Sequence, residues 1–121
     1  MIICCGEALI DMLPRTTTEG EDAFSPYAGG SVFNTALALG RLGLKTGFFT
    51  GLSSDMFGDI LRQALNESGV DHSYCATLDP HTTRDFVRLV NGQASYAFFD
   101  ENTAGRMITE AHLPALGDEV E

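Results

Sequence analysis

The sequence predicts an α/β domain with a mostly parallel sheet, and three features predict it. Short apolar runs typical of strands alternate with amphipathic segments typical of helices. A glycine follows each helical segment, at Gly43 and Gly69, and supplies a stop. The order strand, helix, strand, helix favours βαβ units, in which helices cover the faces of a parallel sheet.

The first predicted strand is the apolar run over residues 2–13, which carries acidic interruptions. We expect it to be buried, to leave the core near Asp11 and to end at Pro14. Residues 15–27 are polar and rich in turn formers. They predict a loop with room for a short edge strand.

A buried helix is predicted from residue 32 to 42, directly after the pair Gly29-Gly30, because apolar side chains recur there at helical spacing. Residues 45–52 then predict a second strand. A second amphipathic helix is predicted over 56–68, with Ser54 or Asp55 as its N-cap.

An antiparallel hairpin is predicted further along the chain. Two extended runs, 84–90 and 93–100, flank Asn91-Gly92, a dipeptide that accepts positive φ and suits a tight turn. In the second run apolar groups fall on both faces, so one face is expected to cover something. Thr109 is the predicted cap of a final short helix.

The number of strands is small for this fold class. Three sheet strands and one hairpin are evident, whereas a sheet covered on both faces usually needs about five strands or more. We therefore expect part of the fold to lie outside these residues.

The composition excludes several classes of partner. A net charge of -10, from 17 acidic and 7 basic side chains, disfavours nucleic acids and anionic membranes. There is no run of about 20 apolar residues and no basic leader. The odd number of cysteines, with Cys4 and Cys5 adjacent, argues against a disulfide framework and favours a cytoplasmic protein.

Four residues are candidates for binding a ligand. Asp11 is expected at the exit of the first strand, where ligands of open parallel sheets bind, and its carboxylate can accept two hydrogen bonds from a vicinal diol. Gly29 and Gly30 allow backbone to approach a ligand, and the helix after them should present unpaired N–H groups. Asn34, on its first turn, offers a donor and an acceptor.

Other interpretations of these residues stay open at this point. Taken alone, Asp11 is more readily a solvated or turn-capping carboxylate than a ligand-binding one, and the glycine pair with Asn34 is as readily an ordinary hinge and helix start. No third glycine and no Gly-Lys-Ser/Thr sequence follows, so the segment predicts neither a dinucleotide site nor a phosphate loop. The dispersed histidines and cysteines predict neither a hydrolase nor a metal site.

The order of several short motifs resembles the amino-terminal half of the ribokinase-like (PfkB) carbohydrate kinases, close to their fructokinase branch. The motifs span essentially the whole chain: Gly6-Glu7-Ala8-Leu9-Ile10-Asp11, Ala28-Gly29-Gly30-Ser31-Val32-Phe33-Asn34-Thr35-Ala36, Arg41-Leu42-Gly43, Thr50-Gly51-Leu52, Asp55-Met56-Phe57-Gly58 and Tyr96-Ala97-Phe98-Phe99-Asp100-Glu101-Asn102-Thr103-Ala104. The resemblance implies a three-layer α/β/α fold with a small β lid. Residues 1–121 would be the N-terminal part of one such domain, with lid segments at approximately 12–28 and 84–104.

The same resemblance implies roles for individual residues. Asp11 would bind sugar hydroxyls, Gly29 and Gly30 would bring backbone against the sugar, and Asn34 would add a side-chain hydrogen bond. Phe98 is similar to the lid residue that packs on the apolar face of the sugar. Many fructokinase-like members carry an arginine where this chain has Asp100, so the identity of the sugar stays open.

The implied enzyme is an ATP-dependent sugar kinase, with fructokinase favoured over kinases for ribose or 2-keto-3-deoxygluconate. It would transfer the γ-phosphoryl group in line to a sugar hydroxyl. The family's catalytic aspartate lies in a Gly-Ala-Gly-Asp segment, which these residues lack. ATP and Mg²⁺ would be held mainly by that missing part, so we expect the isolated chain to be inactive.

Two further expectations come with the resemblance. A homodimer formed through the β lid is one, since lids of this family often pair between subunits. A non-catalytic sugar-binding module, which keeps the sugar site and lacks the kinase half, is the alternative to an enzyme.

Overall fold

The structure, a computed structural model, describes all residues 1–121. In chain order its strands and helices are β1 (Ile2–Cys5), β2 (Leu9–Thr16), β3 (Asp22–Gly29), α1 (Ser31–Arg41), β4 (Thr46–Phe49), β5 (Gly51–Ser53), α2 (Met56–Glu67), β6 (Val70–Asp71), β7 (Ala76–Leu78), β8 (Arg84–Val90) and β9 (Gln93–Phe99).

The strands form three sheets. The central sheet has the order β1-β4-β6 and is parallel throughout. A four-stranded sheet has the order β3-β2-β8-β9. We call it the mixed sheet, because β2 pairs parallel with β8 while the two outer pairs are antiparallel. The short strands β5 and β7 form a third, parallel pair. The predicted α/β class with a parallel sheet is confirmed.

Helix α1 lies between two glycines, as the sequence predicts. Gly30 is its N-cap, and Gly43 follows its last turn at φ 83°, a conformation that glycine adopts without steric penalty. The helix buries Phe33 and its neighbours Ala36 and Leu37. Small residues let it pack closely, since a Cβ on Gly40 would collide with the backbone of Ser68.

Helix α2 begins at the predicted cap. The Asp55 carboxylate accepts a hydrogen bond from the backbone N–H of Gly58 at 2.8 Å. It also accepts hydrogen bonds from the backbone and hydroxyl of Thr82, at 2.9 and 2.6 Å. Asp55 therefore fixes the chain just before β8 to the start of α2.

The hydrophobic core lies between the helices and the central sheet. Phe33 of α1 and Phe48 of β4 are fully buried, and their rings meet edge to face with centroids 5.5 Å apart. Leu61 and Leu65 of α2 join the same cluster. From the mixed sheet, Ile10 is fully buried in it. This contact holds the mixed sheet against the core.

The prediction of one strand over residues 2–13 is wrong. The run divides into β1 and β2, which belong to different sheets. Gly6 lies at the break, and a Cβ there would lie 2.6 Å from the Val32 side chain of α1. Pro14 does not end β2 but lies within it, opposite Phe24. The pairing of β2 with β8 stops at Met12, so Pro14 lies where one edge of the strand is free.

Other boundaries also differ from the predictions. The expected loop at 15–27 contains most of β3, which pairs with β2 along its whole length. The expected strand at 45–52 divides at Thr50 into β4 and β5. The strands β6 and β7 were not predicted, because segments of two and three residues are too short to show an alternation.

The hairpin β8-β9 is confirmed. Asn91 and Gly92 have φ angles of 51° and 77°, as a tight turn with positive φ requires. The final predicted helix is only a short 3-10 turn, Glu110–His112, before which the Thr109 backbone donates a hydrogen bond to the His112 ring at 2.9 Å. None of the helices is both long and apolar enough to span a membrane.

Candidate functional site

One face of the mixed sheet carries a row of four residues in register. Asp11 of β2 lies opposite Tyr27 of β3 and beside Asp85 of β8. Asp85 in turn lies opposite Phe98 of β9. Residues in register on neighbouring strands project to the same side of a sheet. We call this set, Tyr27, Asp11, Asp85 and Phe98, the aspartate row.

Asp11 is partly buried on this face. Burial raises the pKa of its carboxyl group, because dehydration disfavours the charged form. A Cβ on Gly29 would collide with the Asp11 carboxylate. The predicted pair Asp11 and Gly29 therefore lies together, and glycine is required at 29 to make room for the carboxylate itself.

Asp85 was not predicted as a site residue. Its side chain is buried, with only 4% of the residue exposed, and its Oδ1 has no hydrogen-bond partner. Burial raises the pKa of Asp85, and the nearby Asp11 charge raises it further. The sequence did contain one signal for Asp85: strand alternation places this acidic side chain on the same face as the apolar Val87 and Leu89.

Gly30 has a backbone conformation that only glycine adopts readily, with φ 114° and ψ 137°. A Cβ at this position would lie 2.8 Å from the carbonyl oxygen of Glu7. Glycine at 30 thus brings two backbone segments together at the start of α1, between the central and mixed sheets.

The helix start differs from the expectation of unpaired N–H groups. The Glu7 carboxylate accepts hydrogen bonds from the backbone of Ser31 at 2.7 Å and of Val32 at 3.5 Å, and also from the Ser31 hydroxyl. The Ser31 hydroxyl bond is the largest of the effects that lower the pKa of Glu7. An acidic residue 24 positions away supplies this cap, so local sequence could not reveal it.

Asn34 lies on the first turn of α1 and is exposed. Its backbone N–H donates to the carbonyl of Gly30 at 2.8 Å. Its side-chain amide makes no hydrogen bond to another residue of the chain, so both its donor and its acceptor are free for a ligand.

A cavity of about 510 Å³ lies at the carboxyl ends of β1 and β4, the usual position of ligands on parallel sheets. Its volume is in the range of small-molecule sites. Phe98 lines it, as does Leu9, two residues before Asp11. Asp11, Gly29, Gly30 and Asn34 do not line it. The cavity therefore adjoins the aspartate row through Leu9 and Phe98.

Phe98 is 61% exposed, and its ring stacks against Tyr96 with centroids 6.4 Å apart. An exposed aromatic ring beside a cavity has an apolar face available to a ligand. Near the same cavity, the Arg106 guanidinium pairs with the Asp100 carboxylate at 2.8 Å. The acidic side chain at 100 is therefore partly neutralised by a neighbour six residues later.

The family model for "pfkB family carbohydrate kinase" matches residues 1–119. The chain belongs to this family. No group of three or more His, Cys, Asp or Glu side chains in this pfkB-family chain is arranged to hold a metal ion.

Curated relatives of this pfkB-family chain include fructokinases. The fructokinase of Rhizobium leguminosarum bv. trifolii is 65% identical over 121 residues, which are 100% of this chain and 37% of the relative. The fructokinase of Salmonella typhimurium is 31% identical over 111 residues, covering 90% of this chain and 35% of the relative. The chain thus spans little more than a third of the length of these relatives.

Solved structures of the family have the same fold over this region. The crystal structure of fructokinase from Xylella fastidiosa matches with a TM-score of 0.87 and 35% identity, over 93% of this chain and 37% of that one. A second structure of that fructokinase, with bound ATP, matches with a TM-score of 0.86 and 36% identity over the same shares. The pfkB-family chain therefore shares its strand and helix arrangement with part of these enzymes.

Proposed function

We propose that this chain is the sugar-binding part of an ATP-dependent fructokinase, which converts D-fructose and ATP to fructose 6-phosphate and ADP. The observation that carries the proposal is the Asp11 carboxylate, seated against Gly29 on the face that also presents Phe98. Similarity to fructokinases over the whole chain supports the choice of sugar.

The chemistry of these side chains suits a sugar. The two oxygens of Asp11 can accept hydrogen bonds from two neighbouring hydroxyl groups, and Asn34 can both donate and accept. Phe98 offers an exposed ring for the apolar face of the sugar. Gly29 makes room for the Asp11 carboxylate and Gly30 for the Glu7 carbonyl, and we propose that the backbone of both also lies against the sugar.

The raised pKa of Asp11 fits this role. Partial burial removes water from the carboxylate, and no protein donor replaces that water in its hydrogen bonding. Hydrogen bonds to an ionised group contribute about 1.5–3 kcal/mol each. Sugar hydroxyls would therefore satisfy a group that the fold leaves unsatisfied.

The residues present do not fit the triphosphate of ATP. A phosphate group binds well at a helix N-terminus, where backbone N–H groups are free. Here carboxylates occupy the starts of both helices, Glu7 at α1 and Asp55 at α2. We therefore place ATP, Mg²⁺ and the catalytic aspartate mainly in residues outside these 121, and we assign no step of phosphoryl transfer to this chain.

We further propose that the mixed sheet, with segments 12–28 and 84–104, acts as a lid over the sugar. The face opposite the aspartate row carries a cluster of phenylalanine rings, Phe24 against Phe86 and Phe86 against Phe99, with centroids 5.1 and 5.4 Å apart. Phe24 and Phe99 are about half exposed. Such a patch supports a homodimer formed through the lid. We also propose that the enzyme is cytoplasmic, since the odd number of cysteines argues against a disulfide framework.

The test is Asp11→Ala in the natural-length protein, meaning the gene product that carries these 121 residues. We expect kcat/KM for fructose to fall about 100-fold or more, because two charge-assisted hydrogen bonds are lost. The folded structure, followed by circular dichroism, should be unchanged. Asp79→Ala, at an exposed aspartate between β7 and β8, is the matched control and should retain activity.

Unchanged fructose kinetics in Asp11→Ala would remove Asp11 from the site. Preference for ribose or 2-keto-3-deoxygluconate in a sugar panel would replace fructose as the substrate. The isolated 121-residue chain serves as a second arm and should show no turnover with fructose, ATP and Mg²⁺. Measurable turnover by the pure chain would contradict the placement of the catalytic residues elsewhere.

A further inference from the structure

Asp85 is the one acidic residue of the chain that is buried. Its Oδ1 and the Nε of Arg84 are the two buried side-chain polar atoms without a hydrogen-bond partner. Successive residues of a strand point to opposite faces, so these two neighbours cannot pair with each other. Arg84 instead lies over the ring of Phe57, with its guanidinium carbon 5.8 Å from the ring centroid.

The position of Asp85 places its carboxylate beside that of Asp11. The two residues are in register on β2 and β8, and neighbouring strands are about 4.8 Å apart. On the other side Asp85 is in register with Phe98. The unpartnered carboxylate therefore lies within the aspartate row, between Asp11, which we propose accepts hydrogen bonds from the sugar, and the exposed ring of Phe98.

No cation of the chain compensates this pair of carboxylates. Arg15, on the same face of β2, donates to its own neighbour Pro14 and to Tyr27, at 2.9 and 3.3 Å. Arg106 pairs with Asp100. Arg88 shares the opposite face with Arg84 by strand alternation. A buried carboxylate without a donor and next to a like charge is unfavourable, so a donor from outside the chain would stabilise it.

We propose that Asp85 accepts a hydrogen bond from a second part of the sugar and, with Asp11, makes the site select a neutral sugar over a sugar acid. Hydroxyl groups of a neutral sugar donate to both carboxylates. The carboxylate of a sugar acid would instead be repelled by two neighbouring negative charges in a partly dehydrated site. This inference rests on the proposed function, because it concerns the same sugar.

The experiment is Asp85→Asn in the natural-length protein, compared with the unmodified protein on fructose and on 2-keto-3-deoxygluconate. We expect KM for fructose to rise about tenfold, as loss of a charge-assisted hydrogen bond predicts, while KM for ATP is unchanged. The ratio of kcat/KM for fructose to that for the sugar acid should fall about tenfold. Asp79→Asn, at an exposed aspartate between β7 and β8, is the matched control and should leave all these values unchanged.

Stability supplies a readout that a purely structural aspartate would not give. Because the pKa of Asp85 is raised in the folded chain, its ionisation destabilises the fold at neutral pH. Asp85→Asn should therefore raise the midpoint of thermal unfolding without sugar while it weakens the apparent affinity for fructose. A structural role would instead lower that midpoint or prevent folding.

Three outcomes overturn the inference. An unchanged KM for fructose and an unchanged preference between the two sugars would show that Asp85 does not contact the substrate, although the proposed function would stand. A lowered unfolding midpoint or a failure of Asp85→Asn to fold would show a structural role. If the unmodified protein phosphorylates neither sugar, the proposed function and this inference fail together.

Discussion

The central sheet and the mixed sheet differ in where their aromatic side chains lie. In the layer built on the central sheet, Phe33 and Phe48 are fully buried and in contact with each other. In the mixed sheet, every residue of β9 is exposed, and Phe98 and Phe99 show 61% and 54% of their surface. The two layers come from the same chain but bury their aromatic groups to opposite extents.

Polar groups differ between the two layers in the same way. Asp55, at the start of α2, has donors on both carboxylate oxygens. Asp85, in the mixed sheet, has an oxygen without any. Satisfied groups stabilise a fold, whereas unsatisfied polar groups and exposed rings are features of binding sites. This contrast fits the proposal that the central layer supplies stability and the mixed sheet supplies recognition.

Truncating one aromatic residue in each layer tests this division. It is expected to give the largest change in the free energy of unfolding. Phe48→Ala should lower the free energy of unfolding by about 3–5 kcal/mol, because it opens a cavity in the core. Phe99→Ala should lower it by about 1 kcal/mol, since that ring is half exposed. Denaturant titration of both variants of the natural-length protein measures the difference. Equal losses of unfolding free energy in the two variants would contradict the proposed difference between the two layers.

Gly30, which lies between the central and mixed sheets, gives the second prediction. Gly30→Ala should lower the free energy of unfolding by about 2–4 kcal/mol, because it adds strain at positive φ and a contact with the Glu7 carbonyl. The control is Gly20→Ala, at φ 85° in an open turn, which should lower it by about 1–2 kcal/mol. If the two variants unfold at the same denaturant concentration, close approach at Gly30 contributes nothing.

A smaller effect is expected where Asp55 joins α2 to the segment before β8. Asp55→Ala should destabilise the protein by about 1–2 kcal/mol at pH 7 through loss of the cap and of the Thr82 contacts. Burial acts to raise the pKa of Asp55, but hydrogen bonds from Thr82 and Gly58 outweigh it and hold the pKa below its usual value. The contribution is therefore complete above about pH 4 and is lost as the pH falls through the lower, folded-state pKa.

Unfolding curves of Asp55→Ala and the unmodified protein, recorded from pH 7 down to pH 2, measure this dependence. The curves should converge at the acidic end. A constant gap across that range would mean that the charge of Asp55 is not what stabilises the junction.

The sequence predicted interactions between residues that are close together in the chain and missed those between residues that are far apart. Asp55 and the Asn91-Gly92 turn act through residues within a few positions, so local patterns identified both. Glu7 caps α1 from 24 positions away, and Asp85 meets Asp11 across paired strands. Those contacts depend on register, which a single sequence does not display.

The sequence by itself determined the alternation of strands and helices, the glycine stops, the hairpin and the candidates Asp11, Gly29, Gly30 and Asn34, because periodicity and turn chemistry are local properties. Phe98 became a candidate only through the resemblance to the PfkB kinases. Only the tertiary structure decided that the first apolar run serves two sheets, that Glu7 occupies the helix start, and that two carboxylates lie side by side. The physical reason is that sheet pairing joins residues distant in the chain, and their charges and hydrogen bonds are settled only where they meet.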